Sequence, residues 1–413
     1  MKPHLYFTNR WLIAAPAAVI ASITLAMTIS LAGCGGGGGG VDTKIGSGGT
    51  GDPTPPADAL TASGPLSTVG VAGIAATGLD DRASAIFINT QAGQSFNALK
   101  LGMVAEVAGT IPTTATSATS GTATNIVVES AVVGTISAVD AVNTRLTVLP
   151  MTVQIDQNTI FEGASSFAAM TVGNRIEVYG APQAESKNIL ATRIVSLPTT
   201  SNTAELLGVA TNVTAFQFTL QGVSVSMAGV SSVITPTGTV AGTASIVENT
   251  RVRVIGAYSA AANSLAASQI VAAIPATRND NSIIVLDGIV QSVGANNRFR
   301  LNDTDVDPPA ANAASVAVGA RVQVKGRKTA GVLTATDFRR IASGERIQYV
   351  VQGDIANFLS TANFTVRGEA ISASTATFIG GTAANLVNGR TVRIKAQAIG
   401  GHLEAIEVSF VTG

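Results

Sequence analysis

The chain has 413 residues, in which 25 Lys and Arg are balanced by 25 Asp and Glu, with 12% charged against 46% hydrophobic residues. Zero net charge excludes a nucleic-acid binder driven by counterion release, and the apolar content excludes wholesale disorder. With 43 glycines and 4% aromatic residues, the composition points to many turns joining short strands.

Lys2 and Arg10 precede an uncharged apolar run over residues 11–32, which ends in Leu31-Ala32-Gly33-Cys34. Small residues before a lone Cys suit a signal peptidase, and a thiol is the nucleophile that lipid transfer requires. The segment resembles a bacterial lipoprotein signal. That resemblance implies a signal peptide over residues 1–33 and lipidation of Cys34, hence a membrane partner through an N-terminal lipid. In the same family Asp after the Cys retains the protein in the inner membrane; here Gly35 stands there. The implied location is therefore the outer membrane, facing the periplasm or the cell surface. An uncleaved transmembrane helix would need roughly 20 apolar residues, and Pro16, Ser22, Thr24, Thr28 and Ser30 weaken such a span.

Cleavage would leave one histidine, His402, no Trp, and no Cys besides Cys34. No disulfide can then form, so stability must come from burial and sheet hydrogen bonds. Residues 34–65 comprise the lipidated Cys and a Gly/Pro-rich stretch that includes six consecutive glycines, Gly35 to Gly40. No Lys-Ser/Thr follows the glycines, so they are not a phosphate loop. They read as a disordered, flexible tether of about 30 residues, with a span on the order of 30 Å.

Beyond the tether the chain repeats. An apolar-x-apolar-x-Gly strand of the V-x-V-x-G type recurs over residues 102–109, 173–180, 249–256, 319–326 and 389–396, the last with Ala396 in the glycine's place, at steps of 71, 76, 70 and 70. A glycine inside an apolar strand recurs at Gly73, Gly134, Gly208, Gly288 and Gly353, and a closing strand recurs over residues 123–128, 190–195, 265–271, 333–338 and 403–408. Alternating segments such as residues 146–149 and 151–155 predict half-buried strands. Gln221-Gly222, Arg367-Gly368 and Asn302-Asp303 predict hairpin turns, and residues 164–170 predict a single helical turn. The expected fold is all-β: tandem small, OB-like β-barrel units, because closure hides the edges of short strands. The units span residues 66–130, 131–199, 203–276, 282–343 and 347–413, set close together like beads. The first is degenerate, with 16 residues from Ile86 to Gly102 against 27 from Leu146 to Gly173, which predicts a missing strand.

These motifs resemble a family of small β domains of unknown function that occurs in tandem in envelope lipoproteins of Gram-negative bacteria. The likeness covers roughly residues 66–413 and is silent about activity.

The search for chemistry yields little. A catalytic triad needs an oriented histidine, and His402 lies in a predicted turn. Zinc needs three or four imidazole or thiolate ligands, which the chain cannot assemble. Asp303, Asp305 and Asp307 space hard oxygens as an EF-hand opens, but Pro308 and Ala314 occupy the places of its Gly and Glu; they are a metal candidate read mainly as a turn and its flanking strand. Glu106, Glu129, Glu162 and Glu177 are scattered, and nothing in the sequence pairs them. Arg175, Arg251 and Arg321 recur at one strand position, with Arg390 offset by one, and are the ligand-binding candidates for an anionic glycan. Tyr179 and Tyr258 sit near the same place, too few aromatics for a nucleic-acid stacking platform. No cofactor and no catalytic constellation is expected. The expected function is a lipid-anchored binding, scaffold or spacer module contacting a glycan or another envelope protein. The alternatives are a carbohydrate-binding module, or a cell-wall-polymer hydrolase with a carboxylate pair between units.

Overall fold

The computed structural model describes residues 57–69, 85–89, 91, 93–112, 122–183, 187–235, 238–272 and 280–411. The segment expected to be a signal peptide, Cys34, the glycine run and Gly73 lie outside the described residues. Among the described residues no helix is long and apolar enough to cross a membrane.

The architecture is nearly all β, built of small five-stranded barrels in repeated units. In unit 2 the opening strand Val132–Asp140 leads into the hairpin Arg145–Val148 and Met151–Gln154. A short strand, Ile160–Glu162, and a 3₁₀ turn, Phe167–Ala169, then precede the strands Arg175–Pro182 and Asn188–Leu197. The closing strand runs parallel to the hairpin's second strand, with Ile189 beside Val153. Arg175–Pro182 returns to the opening strand, with Ile176 opposite Gly134, and this closes the barrel. Units 3 and 5 close in the same order. Unit 4 closes through Ser292–Val293, which follows its opening strand and pairs with Phe299 and Arg300.

Period-two alternation drives each closure, since it gives every strand one apolar face. Leu146, Phe218, Phe299 and Phe364 occupy the same position in the first hairpin strand of units 2 to 5, all essentially buried. Burying one such side chain contributes about 1.5–3 kcal/mol.

The repeated glycine of V-x-V-x-G has a steric cause. A Cβ on Gly256 or Gly326 would lie 2.1 Å from a closing-strand carbonyl oxygen, that of Ala266 or Thr334. At this point the closing strand carries an extra residue, a bulge, in all five units. In units 1 to 4 the extra residue is Thr124, Thr192, Ser268 or Thr336, and its hydroxyl donates to the carbonyl just before the glycine at 3.1–3.2 Å. In unit 5 Ala396 replaces the glycine and Ile406 the hydroxyl residue, so both halves of the device change together. The expected hairpin turns form as well: Gln221 and Gly222 take φ of 50° and 72°, the left-handed pair that a two-residue hairpin requires.

Two expectations are corrected in unit 1. The strand Ala57–Pro65 lies inside the segment read as tether and pairs with Val104–Pro112 over its whole length. Its Gly64 faces Ala105 as Gly208 faces Val252 and Gly288 faces Val322, so Gly64 holds the register place assigned to Gly73. Ala85–Ile88 runs parallel to the closing strand as Ile160–Glu162 does in unit 2. Among the described residues four strands of unit 1 therefore lie side by side in the order Ala85–Ile88, Thr122–Val128, Val104–Pro112, Ala57–Pro65, without closing on themselves, and a fifth, Thr68–Val69, lies in another sheet.

Its open edge is used. Leu60 to Ser63 pair in parallel with Ile283 to Leu286, the opening strand of unit 4. Thr68–Val69 pairs in parallel with Val350 and Val351 of unit 5. Leu66, Leu101 and Ile126 of unit 1 share a core with Tyr179 of unit 2 and with Tyr349 and Ile394 of unit 5. Units 2 and 3 join edge to edge through Val132 and Val133 against Leu206 and Glu205. The units thus gather about unit 1 rather than follow one another as beads, because an unpaired strand edge is satisfied by another strand.

Candidate functional site

Gathering the units creates a cavity of about 590 Å³ walled by units 1 to 4. The walls are equivalent surfaces of the repeats. Gly64 and Gly208 are opening-strand glycines, and Gln221 and Asn302 are turn residues that ride over such glycines. Gly208 and Gly288 leave room for those turn side chains, since a Cβ there would meet Gln221 Cγ at 3.0 Å or Asn302 Oδ1 at 2.4 Å.

Two carboxylates of unit 1 reach this cavity from one face. Glu106 lies opposite Val127 in the register, and Glu129 lies two residues beyond Val127, so both side chains project to the same side. The side chain of Glu129 is 8% exposed; its Oε2 meets Arg251 of unit 3 at 3.1 Å, and its Oε1 has no hydrogen-bond partner among the described residues. Across the cavity Asp287 is held by Arg321 at 2.9 and 3.2 Å and by Gln323 at 2.9 Å. Burial opposes the charge of Arg321, but Asp287 outweighs it and the guanidinium pKa lies above its ordinary value. Gln291, on the same wall, has an Oε1 that is likewise buried and unpartnered. Pro65, Pro182, Met151 and Val209 supply apolar surface between the polar groups.

A second cavity, about 380 Å³, lies between units 2 and 5 and includes Glu162, Arg193, Glu369 and His402 in its lining. Arg193 is 1% exposed. It meets Glu369 of unit 5 at 3.1 Å, accepts Glu162 as its second counter-ion, and donates to the Leu101 carbonyl of unit 1 at 2.8 Å. Burial disfavours its charge, yet Glu369 and Glu162 together raise its pKa. Leu101 N–H donates to Glu369 Oε1 at 2.7 Å. Lys100, its own pKa lowered by burial, donates to the Arg367 carbonyl at the unit 5 turn. Arg253 forms a comparable joint, bonding Glu205 at 2.7 Å, Ser130 Oγ at 2.9 Å and Asn89.

The sequence candidates fall in several places. Arg175, Arg251 and Arg321 do not present one ladder. Arg175 donates to the Thr203 carbonyl at 2.9 Å, Arg251 pairs with Glu129, and Arg321 pairs with Asp287. Of the three, Arg251 lines the larger cavity. Asp303 sits in the hairpin turn, and Asp305 and Asp307 on the strand after it. Arg300 faces Asp303 at 3.7 Å and Asp305 at 3.5 Å, and Arg298 holds Asp307 at 2.7 and 2.9 Å. Among the described residues no group of three or more His, Cys, Asp or Glu could hold a metal. His402 opens the last strand and is exposed. Tyr179 is buried and donates to Glu177 Oε1 at 3.1 Å, while Tyr258 bonds Asn263 at 3.1 Å.

Sequence reasoning missed that Glu106 and Glu129 line one cavity. The available signal was positional: Glu129 directly follows a closing strand, and Glu106 holds a polar place of the V-x-V-x-G strand that faces the opening strand of its own unit.

A comparison with the curated proteins found no match. Two stretches of the chain, residues 133–195 in unit 2 and 273–337 reaching through unit 4, match the family described as a domain of unknown function (DUF5666), consistent with tandem copies of one small domain.

Proposed function

We propose that the protein is a lipid-anchored component of the cell envelope whose β units combine into one binding module, with the cavity between units 1 to 4 as its site. The anchor rests on the sequence from Leu31 to Cys34. The binding role rests on one observation: a cavity of about 590 Å³, within the range of small-molecule sites, into whose wall a nine-tenths-buried Glu129 is built with one oxygen unpartnered. A buried acceptor without a donor costs roughly 1–3 kcal/mol, which a ligand can offset. On this reading the repeats act together, forming one composite site from several modest surfaces rather than a row of separate ones.

Glu106 and Glu129 on one face favour a second reading, hydrolysis of an envelope polymer by paired carboxylates. One member of such a pair must donate a proton. A carboxylate held by a guanidinium is an acceptor only, which suits Glu129 to binding.

Two measurements test the proposal. Palmitate labelling of cells is expected to mark the wild-type chain and not Cys34→Ala; equal labelling of both contradicts the anchor. Detergent-solubilised mature protein is expected to be retained saturably on an envelope polymer without shortening it. No retention on any polymer contradicts the binding module, and release of short products establishes the hydrolase instead.

A further inference from the structure

We propose that the cavity between units 1 to 4 takes a short, uncharged saccharide of about disaccharide size, an inference that rests on the binding role proposed above. Most charges along the wall are compensated within the protein. Glu129 is paired with Arg251, Asp287 with Arg321, and Arg300 with Asp303. An anionic ligand would face Glu106, Glu129, Asp287 and Asp303 in a wall whose two arginines are already paired, and would lose hydration without gaining a counter-ion.

Two acceptors of the wall are left without a donor among the described residues. Glu129 Oε1 and Gln291 Oε1 are both acceptors, both buried, and both without partners among the described residues. They come from units 1 and 4, so a ligand reaching both would bridge the cavity. Hydroxyl groups supply neutral donors on a rigid frame, and each hydroxyl can also accept. Arg251 and Arg300 are the wall's complementary donors for such acceptors. Pro182, an exposed apolar residue of the lining, offers a surface suited to the C–H face of a sugar ring. A polyamine would meet Arg251 and Arg300.

The experiment is calorimetric titration of the full chain with three probe classes: the neutral disaccharides cellobiose, maltose and N,N′-diacetylchitobiose; the polyamine spermidine; and a neutral tetrapeptide. The expected result is saturable binding of at least one disaccharide with one site per chain, weakened about tenfold in Gln291→Met. That variant leaves every ion pair of the wall intact, so it keeps the test valid if Glu129→Gln, expected to weaken binding similarly, fails to fold. Binding of spermidine or the tetrapeptide alone, lost in Gln291→Met, overturns the saccharide assignment and leaves the binding role standing. Five equal sites per chain, or disaccharide binding unaltered in both variants, overturns the composite site. Failure of all three classes, with the wild-type chain folded, counts against the binding role itself.

Discussion

Arg193 of unit 2 and Glu369 of unit 5 are 176 residues apart in sequence and meet at 3.1 Å, both with side chains almost wholly withdrawn from water. Removing one member of such a pair leaves an uncompensated buried charge, at a cost of about 3–5 kcal/mol. Arg193→Met is therefore expected to lower the unfolding free energy, read from a urea titration, by an amount in that range. Glu369→Gln is expected to cost less, because Glu162 remains as a counter-ion. The double variant should lose less than the sum of the two, since the residues act as one joint. Additive losses in equilibrium unfolding would show that the pair is not coupled.

The glycine of each V-x-V-x-G strand is predicted to be a steric requirement, removable only where the bulge partner has changed. Gly256→Ala places a Cβ 2.1 Å from the Ala266 carbonyl oxygen and is expected to cost about 1–3 kcal/mol through forced backbone shift. The reverse change in unit 5, Ala396→Gly, is expected to cost only about 0.5–1 kcal/mol of strand entropy. Thermal unfolding of the two variants checks this; equal shifts would remove the steric argument.

Alkaline stability follows from two buried phenols. Burial, with Glu177 adding to it for Tyr179, raises the pKa of both Tyr179 and Tyr349 well above the ordinary tyrosine value. Above pH of about 10 the unfolded chain releases protons that the folded chain keeps, so stability falls as pH rises further. Lys100 acts with the opposite sign: burial lowers its pKa, so the unfolded chain holds the extra proton and stability rises as pH approaches the ordinary lysine value. Tyr349→Phe loses a 2.7 Å hydrogen bond to the Asn158 carbonyl, about 1 kcal/mol at neutral pH, but should flatten the alkaline decline. Urea midpoints between pH of about 8 and 11 measure both effects, and an unchanged slope in the variant would contradict them.

Residues 57–65 are predicted to resist amide hydrogen exchange as a folded strand does. Their antiparallel partner Val104–Pro112 and their parallel partner in unit 4 occupy both edges. Mass spectrometry of exchange should find this peptide protected like the closing strands. Immediate full exchange would return it to the tether.

Much of the fold was legible because its determinants are local. Strand alternation, turn pairs such as Gln221-Gly222, and the returning glycines each act over a few residues, so the OB-like repeat could be read from spacing. The strand Ala57–Pro65 was not legible: Asp58, Ser63, Gly64 and Pro65 have the composition of a tether, and only register against unit 1 and unit 4 makes them a strand. The joints were hidden for a related reason. The position just after the closing-strand bulge is polar in all five units, as Asn125, Arg193, Gln269, Asp337 and Glu407. Gln269 is exposed, whereas Arg193 is buried, because units 1 and 5 contribute Leu101 and Glu369 over it. Nothing in the local sequence distinguishes the two. The candidate cavity was illegible likewise, since its walls come from four units.

The gathering of the units about unit 1 is tested most directly by a cross-link between Ala62 and Val285, neighbours in register across the parallel seam. Adjacent strands lie about 4.8 Å apart, within reach of a disulfide. In a Cys34→Ser chain, Ala62→Cys with Val285→Cys is predicted to oxidise to an intramolecular bond, seen as faster migration on a non-reducing gel. Two thiols that stay free and react with maleimide in the folded protein would contradict the seam, and with it the composite cavity.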